Sequence, residues 1–375
     1  MSSTKISEIR TYTYKIPLEV PVTSAVGTLH SRSMLLICIE DSDGVQGWGE
    51  VWTNFPEGGA AHRAHLIHSV FRPLLVGRER LTPDIHYQTL FQGTAVQVIQ
   101  TGEIGPFSQC IAGIDQALTD LAARRANQPV WRFLGGQDPT IKAYASGLGP
   151  KHPVEAALRA WDQGFRYFKL KIGIEQTSDL TSLGELEAAL PDNAQLMVDA
   201  NQAWSVKQAG AMIEALADFN LVWLEEPVRA TTSLPEWKEL ARHSTIPFAM
   251  GENLWDEHAF LDAIHSGAFG YIQPDIGKWG GFTSGRKIAA AARDAGVTYC
   301  PHWLGGGIGL LASMHLLAAA GGSGLVEVDS NPNPLREGVC LPAILDGCYT
   351  LTEAPGLGVD PFTDVLPMLK PFLVQ

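Results

Sequence analysis

Three carboxylates close three short apolar runs at nearly constant spacing: Asp199 in LMVDAN, Glu225 in VWLEEP and Glu252 in FAMGEN, at intervals of 26 and 27 residues. That period is the length of one strand, loop and helix unit, so the three acids should converge at one end of a parallel α/β barrel. Carboxylates buried side by side are costly without a cation. A ligand set made only of oxygens, with no Cys or His, favours a hard ion, Mg2+ before Mn2+.

Lys169 and Lys171 in YFKLKIG stand two apart and therefore share one face of a strand. They would lie roughly 7 Å from each other. At an effective dielectric near 20, two charges at roughly that distance repel by about 2.4 kcal/mol. The pairing predicts that one lysine is neutral at about pH 7 to 8, as abstraction of a carbon-bound proton requires. Asp275 closes the sixth run (IQPD) and His302 the seventh (TYCPH). Neighbouring strand ends would let Asp275 hold one imidazole nitrogen and leave the other facing the cavity. Lys278 in GKWGG offers a third base, but its spacing puts it in the loop beyond the strand end. The run HWLGGGIG reads either as a phosphate cradle at a helix start or as a tight loop.

Stepwise strands must carry these groups. Candidates are IKAYAS (from 141), YFKLKIG (167), QLMVDAN (195), LVWLEEP (221), FAMGEN (248), GYIQPD (270), TYCPH (298) and LVEVD (325), with helix-length segments between them. Eight strands at such even steps fit a (β/α)8 barrel; an open doubly wound sheet is the alternative. The first third differs. Residues 5–52 alternate as strands with a DG hairpin turn, and PLEVPVTSAVGTLHSR between them reads as a polar loop. A second loop, TNFPEGGAAH, precedes helical patterning from about Ala64 to Ala123. The expected division is an α+β domain over 1–130, the barrel over 131–330, and a Pro- and Gly-rich tail over 331–375 that packs back on the first domain.

Composition removes several function classes. The 375 residues carry a net charge of −13 and no run of basic residues, which argues against a nucleic-acid surface. Five scattered cysteines form no CxxC, and no apolar stretch reaches membrane length or resembles a signal peptide. The expectation is a soluble, cytoplasmic protein with reduced thiols.

Taken together, KxK, DAN, EEP, GEN and the Asp and His pair resemble the mandelate racemase subgroup of the enolase superfamily. The likeness runs over nearly the whole chain, through the helix GIDQALTDLAARRANQPVWRFLGG and the tail PGLGV. It implies a modified barrel, (β/α)7β, with an N-terminal α+β capping domain. It implies Mg2+ on Asp199, Glu225 and Glu252, with Lys171 as the base on one face of the substrate and Lys169 beside the substrate carboxylate. His302 paired with Asp275 would be the acid or base on the other face. Asn201 would donate a hydrogen bond to the substrate, and Glu327 would bond to its carboxylate. The muconate cycloisomerase subgroup also carries KxK, but it has a catalytic lysine where this chain has Asp275.

The resemblance implies removal of a proton α to a carboxylate, giving an enediolate that the metal stabilises. Returning a proton to the opposite face gives racemisation or epimerisation; expelling a β-oxygen gives dehydration or ring opening. The segment EVDSNPNPLREG is similar to that of sugar-acid dehydratases and galactarolactone cycloisomerases, which favours dehydration of an aldonic or aldaric acid. A racemase, epimerase or lactone cycloisomerase is the alternative, and a catalytically silent sugar-acid binding protein is a third reading. Loops around Thr23–Arg32 and Trp52–Gly59 would close over the barrel mouth, with His30 and Arg32 on a distal carboxylate or hydroxyls. The partner expected is a small-molecule carboxylate, and similar proteins often form homo-oligomers.

Overall fold

The structure is a computed structural model that describes residues 4–24, 27–79, 81–149, 152–340, 342–360 and 366–374. Strands β1 (Ile6–Ser24), β2 (Gly27–Asp41) and β3 (Gln46–Val51) pair antiparallel in that order. Gly44, at φ +83°, makes the DG turn into β3. The segment expected as a polar loop is instead the far end of the β1–β2 ribbon. Pairing lapses after Pro17, whose nitrogen has no hydrogen to donate, and resumes from Val22 opposite Leu29 to Ser24 opposite Gly27. Ala25 and Val26 lie outside the described residues.

Helices α1 (Gly59–Leu66), α2 (Arg72–Leu75), α3 (Pro83–Thr101), α4 (Ile104–Arg125) and α5 (Val130–Phe133) follow. The sheet lies directly on α4. A Cβ on Gly49 would stand 2.1 Å from the Gly113 carbonyl oxygen, so this approach needs glycine. Gln116 on α4 accepts from the Glu50 backbone and donates to the carbonyls of Glu50 and Ile276, tying the sheet to the larger domain.

All eight expected barrel strands are present: β4 (Thr140–Leu148), β5 (Tyr167–Lys171), β6 (Gln195–Asp199), β7 (Leu221–Glu225), β8 (Phe248–Met250), β9 (Tyr271–Ile272), β10 (Thr298–Tyr299) and β11 (Leu325–Asp329). Helices α6 (Pro153–Asp162), α7 (Gln176–Ala189), α8 (Val206–Leu216), α9 (Leu234–Arg242), α10 (Glu257–His265), α11 (Gly281–Asp294) and α12 (Gly307–Ala320) connect them. Seven helices between eight strands make the (β/α)7β form. The parallel order is β10-β9-β8-β7-β6-β5-β4-β11, so the first strand pairs with the last and no reversal of strand order occurs. That order rules out the doubly wound alternative. The remaining gap between β10 and β11 is spanned by the Glu327 amide donating to the Pro301 carbonyl, 3.3 Å.

Beyond β11, α13 (Pro334–Glu337) leads to β12 (Cys348–Thr350), which pairs antiparallel with β4. After α14 (Leu366–Leu369) the chain returns to the first sheet, where Val374 N donates to Thr13 O. Among the described residues no helix is long and apolar enough to cross a membrane.

One layer inside the barrel explains why its mouth is polar. Tyr144, Met197, Trp223, Ala249, Cys300 and Leu325 fill the interior as a buried cluster. Side chains alternate with a period of two along a strand, so the next inward positions are Ser146, Asp199, Glu225 and Glu327. An apolar plug therefore forms the floor under a ring of polar strand ends.

Candidate active site

Register sets the ring. Lys171, Asp199 and Glu225 are direct neighbours across β5, β6 and β7. Lys171 Nζ lies 2.5 Å from Asp199 Oδ2, and Asn201 donates its backbone and side-chain N–H groups to the same carboxylate. Lys169 is fully buried. Its ammonium contacts Glu225 at 2.8 and 2.9 Å, Glu327 at 3.0 Å and the Tyr144 hydroxyl at 3.3 Å. Glu225 also accepts from Trp223 Nε1 and Gln273 Nε2.

The opposite wall is built on Asp275. A β-bridge continues the ladder beyond β9 and β10 to join Asp275 with His302. Asp275 Oδ2 lies 2.7 Å from His302 Nδ1, while Oδ1 accepts the backbone N–H groups of Gly277 and Lys278 at 2.9 Å each. His302 Nε2 is then directed at Glu252 (3.2 Å) and Glu327 (3.5 Å). Glu327 is positioned by the Ser146 hydroxyl and the Trp303 backbone N–H.

Charge follows these contacts. Burial alone would lower the pKa of each lysine, but Glu225 and Glu327 hold that of Lys169 well above the ordinary value, and Asp199 raises that of Lys171. This corrects the expectation of a neutral lysine: each ammonium faces a carboxylate more closely than it faces its partner lysine. Burial would also lower the His302 pKa, yet Glu252 and Glu327 push it up to about 9. Glu327 is brought down to about 2, because Lys169 and His302 outweigh its burial.

Glu225 and Glu226 show where positive charge falls short. Burial and the neighbouring Asp199 push Glu225 up to about 7; burial, Glu252 and Asp199 push Glu226 well above the carboxylate range. Buried oxygen donors crowded by other carboxylates fit a hard divalent cation. As the side chains stand, no three Asp, Glu, His or Cys groups among the described residues close on one point as a coordination shell. Asp199, Glu225 and Glu252 occupy successive strand ends as expected, but Lys171, Lys169 and Lys278 respectively are hydrogen-bonded to them.

These walls enclose a cavity of about 190 Å3 lined by Lys171, Asn201, Glu252, His302 and Glu327 from the barrel and by Trp52, Asn54 and Phe55 from the loop after β3. Val22 and Leu29 at the end of the β1–β2 ribbon also reach it. The two expected covering segments are thus at the mouth, but His30 and Arg32 do not line the cavity. His30 is exposed on β2. Arg32 is buried one layer back, paired with Asp329, and Asp329 is the residue that faces the cavity. A strand alternates sides, and counting residues in a presumed loop could not show this.

Other placements were not legible. Lys278 enters the cavity and contacts Glu252 at 2.8 Å, although its spacing suggested an outer loop. Its signal was the Asp275 side chain three residues earlier, which folds the turn back. Ser146 closes the first barrel strand and could have been found by the same rule that found Asp199. The glycine run HWLGGGIG does cradle an acidic group at the start of α12, but it is the carboxyl of Glu50 of β3, which accepts from Gly306 N and Gly309 N.

Residues 153–365 match the family described as enolase C-terminal domain-like, and residues 6–135 match the mandelate racemase / muconate lactonizing enzyme N-terminal domain. The chain is 32% identical to a 3,6-anhydro-alpha-L-galactonate cycloisomerase of Streptomyces coelicolor, over 94% of this chain and 96% of the relative. It is 27% identical to an arabinonate dehydratase of Saccharolobus solfataricus, over 88% of each. A mandelate racemase/muconate lactonizing enzyme of Bordetella bronchiseptica superposes with a TM-score of 0.92 at 43% identity, covering 98% of this chain and 99% of that one. A Streptomyces coelicolor racemase with bound magnesium superposes at 0.88 with 30% identity, covering 98% and 100%.

Proposed function

The chain belongs to the mandelate racemase / muconate lactonizing enzyme family of the enolase superfamily, and from that premise we propose that it is a Mg2+-dependent enzyme that removes the proton α to the carboxylate of an acid sugar and expels the β-oxygen. Dehydration of an aldonic or aldaric acid is the main form of this reaction. The observation that carries it is the placing of Lys171 and His302 on facing walls of one cavity, over buried carboxylates.

Lys171 takes the α-proton, and His302, held in one orientation by Asp275, delivers a proton to the departing oxygen. Lys169, Asn201 and Glu327 orient the substrate carboxylate and its neighbouring oxygen. Asp199, Glu225 and Glu252 would hold Mg2+, whose chemistry is to offset the second negative charge of the enediolate. Lys171 is cationic while it faces Asp199, and it would be free to act as a base with that carboxylate engaged by the ion.

Cycloisomerisation is the second reading, favoured by the 32% identity to a cycloisomerase. The two share the α-proton step and differ in whether the leaving oxygen stays tethered to the product. Incubating the Mg2+-loaded protein with a panel of acid sugars and their lactones and anhydro forms in D2O separates them. Dehydration removes one water in mass, whereas cycloisomerisation conserves mass; no product and no deuterium at the α-carbon with any member would sink the proposal.

The same reading keeps the division near residues 130 and 330, supported by the change from the three-stranded sheet to the barrel at β4. Five free cysteines support a reducing cytoplasm. A homo-oligomer is supported by Phe91, Val96 and Ile99, large apolar side chains exposed along α3.

A further inference from the structure

We infer that Lys278 is a catalytic residue of this site, the hydrogen-bond donor that stabilises the β-oxygen as it departs; the inference rests on the elimination proposed above. Four observations support it. Lys278 lines the same cavity as His302 and is 5% exposed. Its Nζ and His302 Nε2 approach one and the same oxygen, Glu252 Oε2, at 2.8 and 3.2 Å, so the two cationic groups are neighbours on the wall facing Lys171. Asp275 positions both, with Oδ2 on the imidazole and Oδ1 on the backbone of the Lys278 turn. The Lys278 ammonium sits 5.0 Å from the centre of the Trp52 ring, which covers the cavity from the loop after β3.

An ammonium has three N–H groups. Glu252 and Asn253 Oδ1 take two, at 2.8 and 3.3 Å, which leaves a third to donate. A substrate whose α-carbon lies between Lys171 and His302 carries its β-oxygen within two bonds of that carbon. Because Nζ and Nε2 meet at one oxygen, a substrate oxygen on that side of His302 lies within reach of Lys278 as well.

The step balances without a further reagent. The Cα–H bond breaks with its proton going to neutral Lys171 and its electron pair passing into the enediolate; that pair then forms the Cα–Cβ double bond as the Cβ–O bond breaks. The oxygen leaves with the pair of the broken Cβ–O bond and takes its proton from His302. Lys278 donates a hydrogen bond to the developing charge and keeps its own proton.

The test separates proton removal from oxygen departure. Wild type, Lys278→Met and Lys278→Arg, each loaded with Mg2+, are compared for α-proton exchange in D2O, for product formation and for Mg2+ affinity by calorimetry. The expected result in Lys278→Met is exchange within about threefold of wild type, Mg2+ affinity equal to wild type or higher because the ammonium competing for Glu252 is gone, and product formation down by about 10²–10³-fold, with partial recovery in Lys278→Arg. If exchange and product fall together, Lys278 serves the charge balance of the whole site and the inference is overturned; unchanged product formation overturns it equally. Wild type that exchanges no α-proton with any acid sugar instead defeats the parent reading and takes this assignment with it.

Discussion

Lys171 Nζ stands 2.5 Å from Asp199 Oδ2, across the register of two neighbouring parallel strands. The contact joins the group that must accept a proton to a group that must bind a cation. Lys169 on Glu225 and Lys278 on Glu252 repeat the pattern, so each of the three acids has an ammonium against it.

Removal of Mg2+ should therefore abolish activity without unfolding the protein. Chelated protein is expected to keep its circular dichroism and a cooperative melt. Titration with Mg2+ should raise the melting point, with about 2.7 kcal/mol gained at 100 times Kd. An unfolded chelated form would show that the lysines do not compensate the carboxylates.

The two walls predict different losses. Lys171→Ala should lose α-proton exchange by about 10²–10⁴-fold. His302→Asn should lose product formation to a similar degree while Mg2+ binding persists. Turnover in either variant near the wild-type rate, measured by NMR in D2O, would remove that residue from the mechanism.

Asp275→Asn keeps the shape of the side chain but offers an amide where the imidazole needs a carboxylate. The expected outcome is a fall in kcat of about 10²–10⁴-fold with a small change in melting point, since a misdirected imidazole is a positional fault. A large loss of stability with kcat retained in the folded fraction would mark Asp275 as structural.

His315 makes a prediction on pH. It is buried on α12, its Nδ1 accepts from Trp131 N at 3.0 Å, and burial lowers its pKa to about 3. The folded value lies below the ordinary 6.5, so its contribution is full above about pH 6.5 and is lost as pH falls toward 3. Stability should decline across that window with a limiting slope of about 1.4 kcal/mol per pH unit. His315→Asn should flatten that part of the profile, and an unchanged profile by chemical denaturation would refute the assignment.

Much of the site was legible because a barrel strand has two simple rules. Its last residues face the mouth, and inward positions recur every two residues, so Asp199, Glu225, Glu252, Asp275, His302 and Glu327 could be found from where apolar runs stop. Lys278 escaped because one side chain, Asp275, turns the following loop inward, and a count of residues carries no such information. Arg32 lies a layer back from the mouth because a ribbon that continues past Pro17 alternates its faces where a loop would not.

The sequence by itself determined the eight-strand period, a (β/α) barrel and the acids and bases at the strand ends, since these depend on apolar patterning and local spacing. Tertiary structure alone decided which charges meet. Glu50 reaches the start of α12 from 256 residues away, Asp329 rather than Arg32 faces the cavity, and each lysine finds a carboxylate before it finds its fellow lysine. Electrostatic energy depends on distance in space and on burial, and neither is a property of position along the chain.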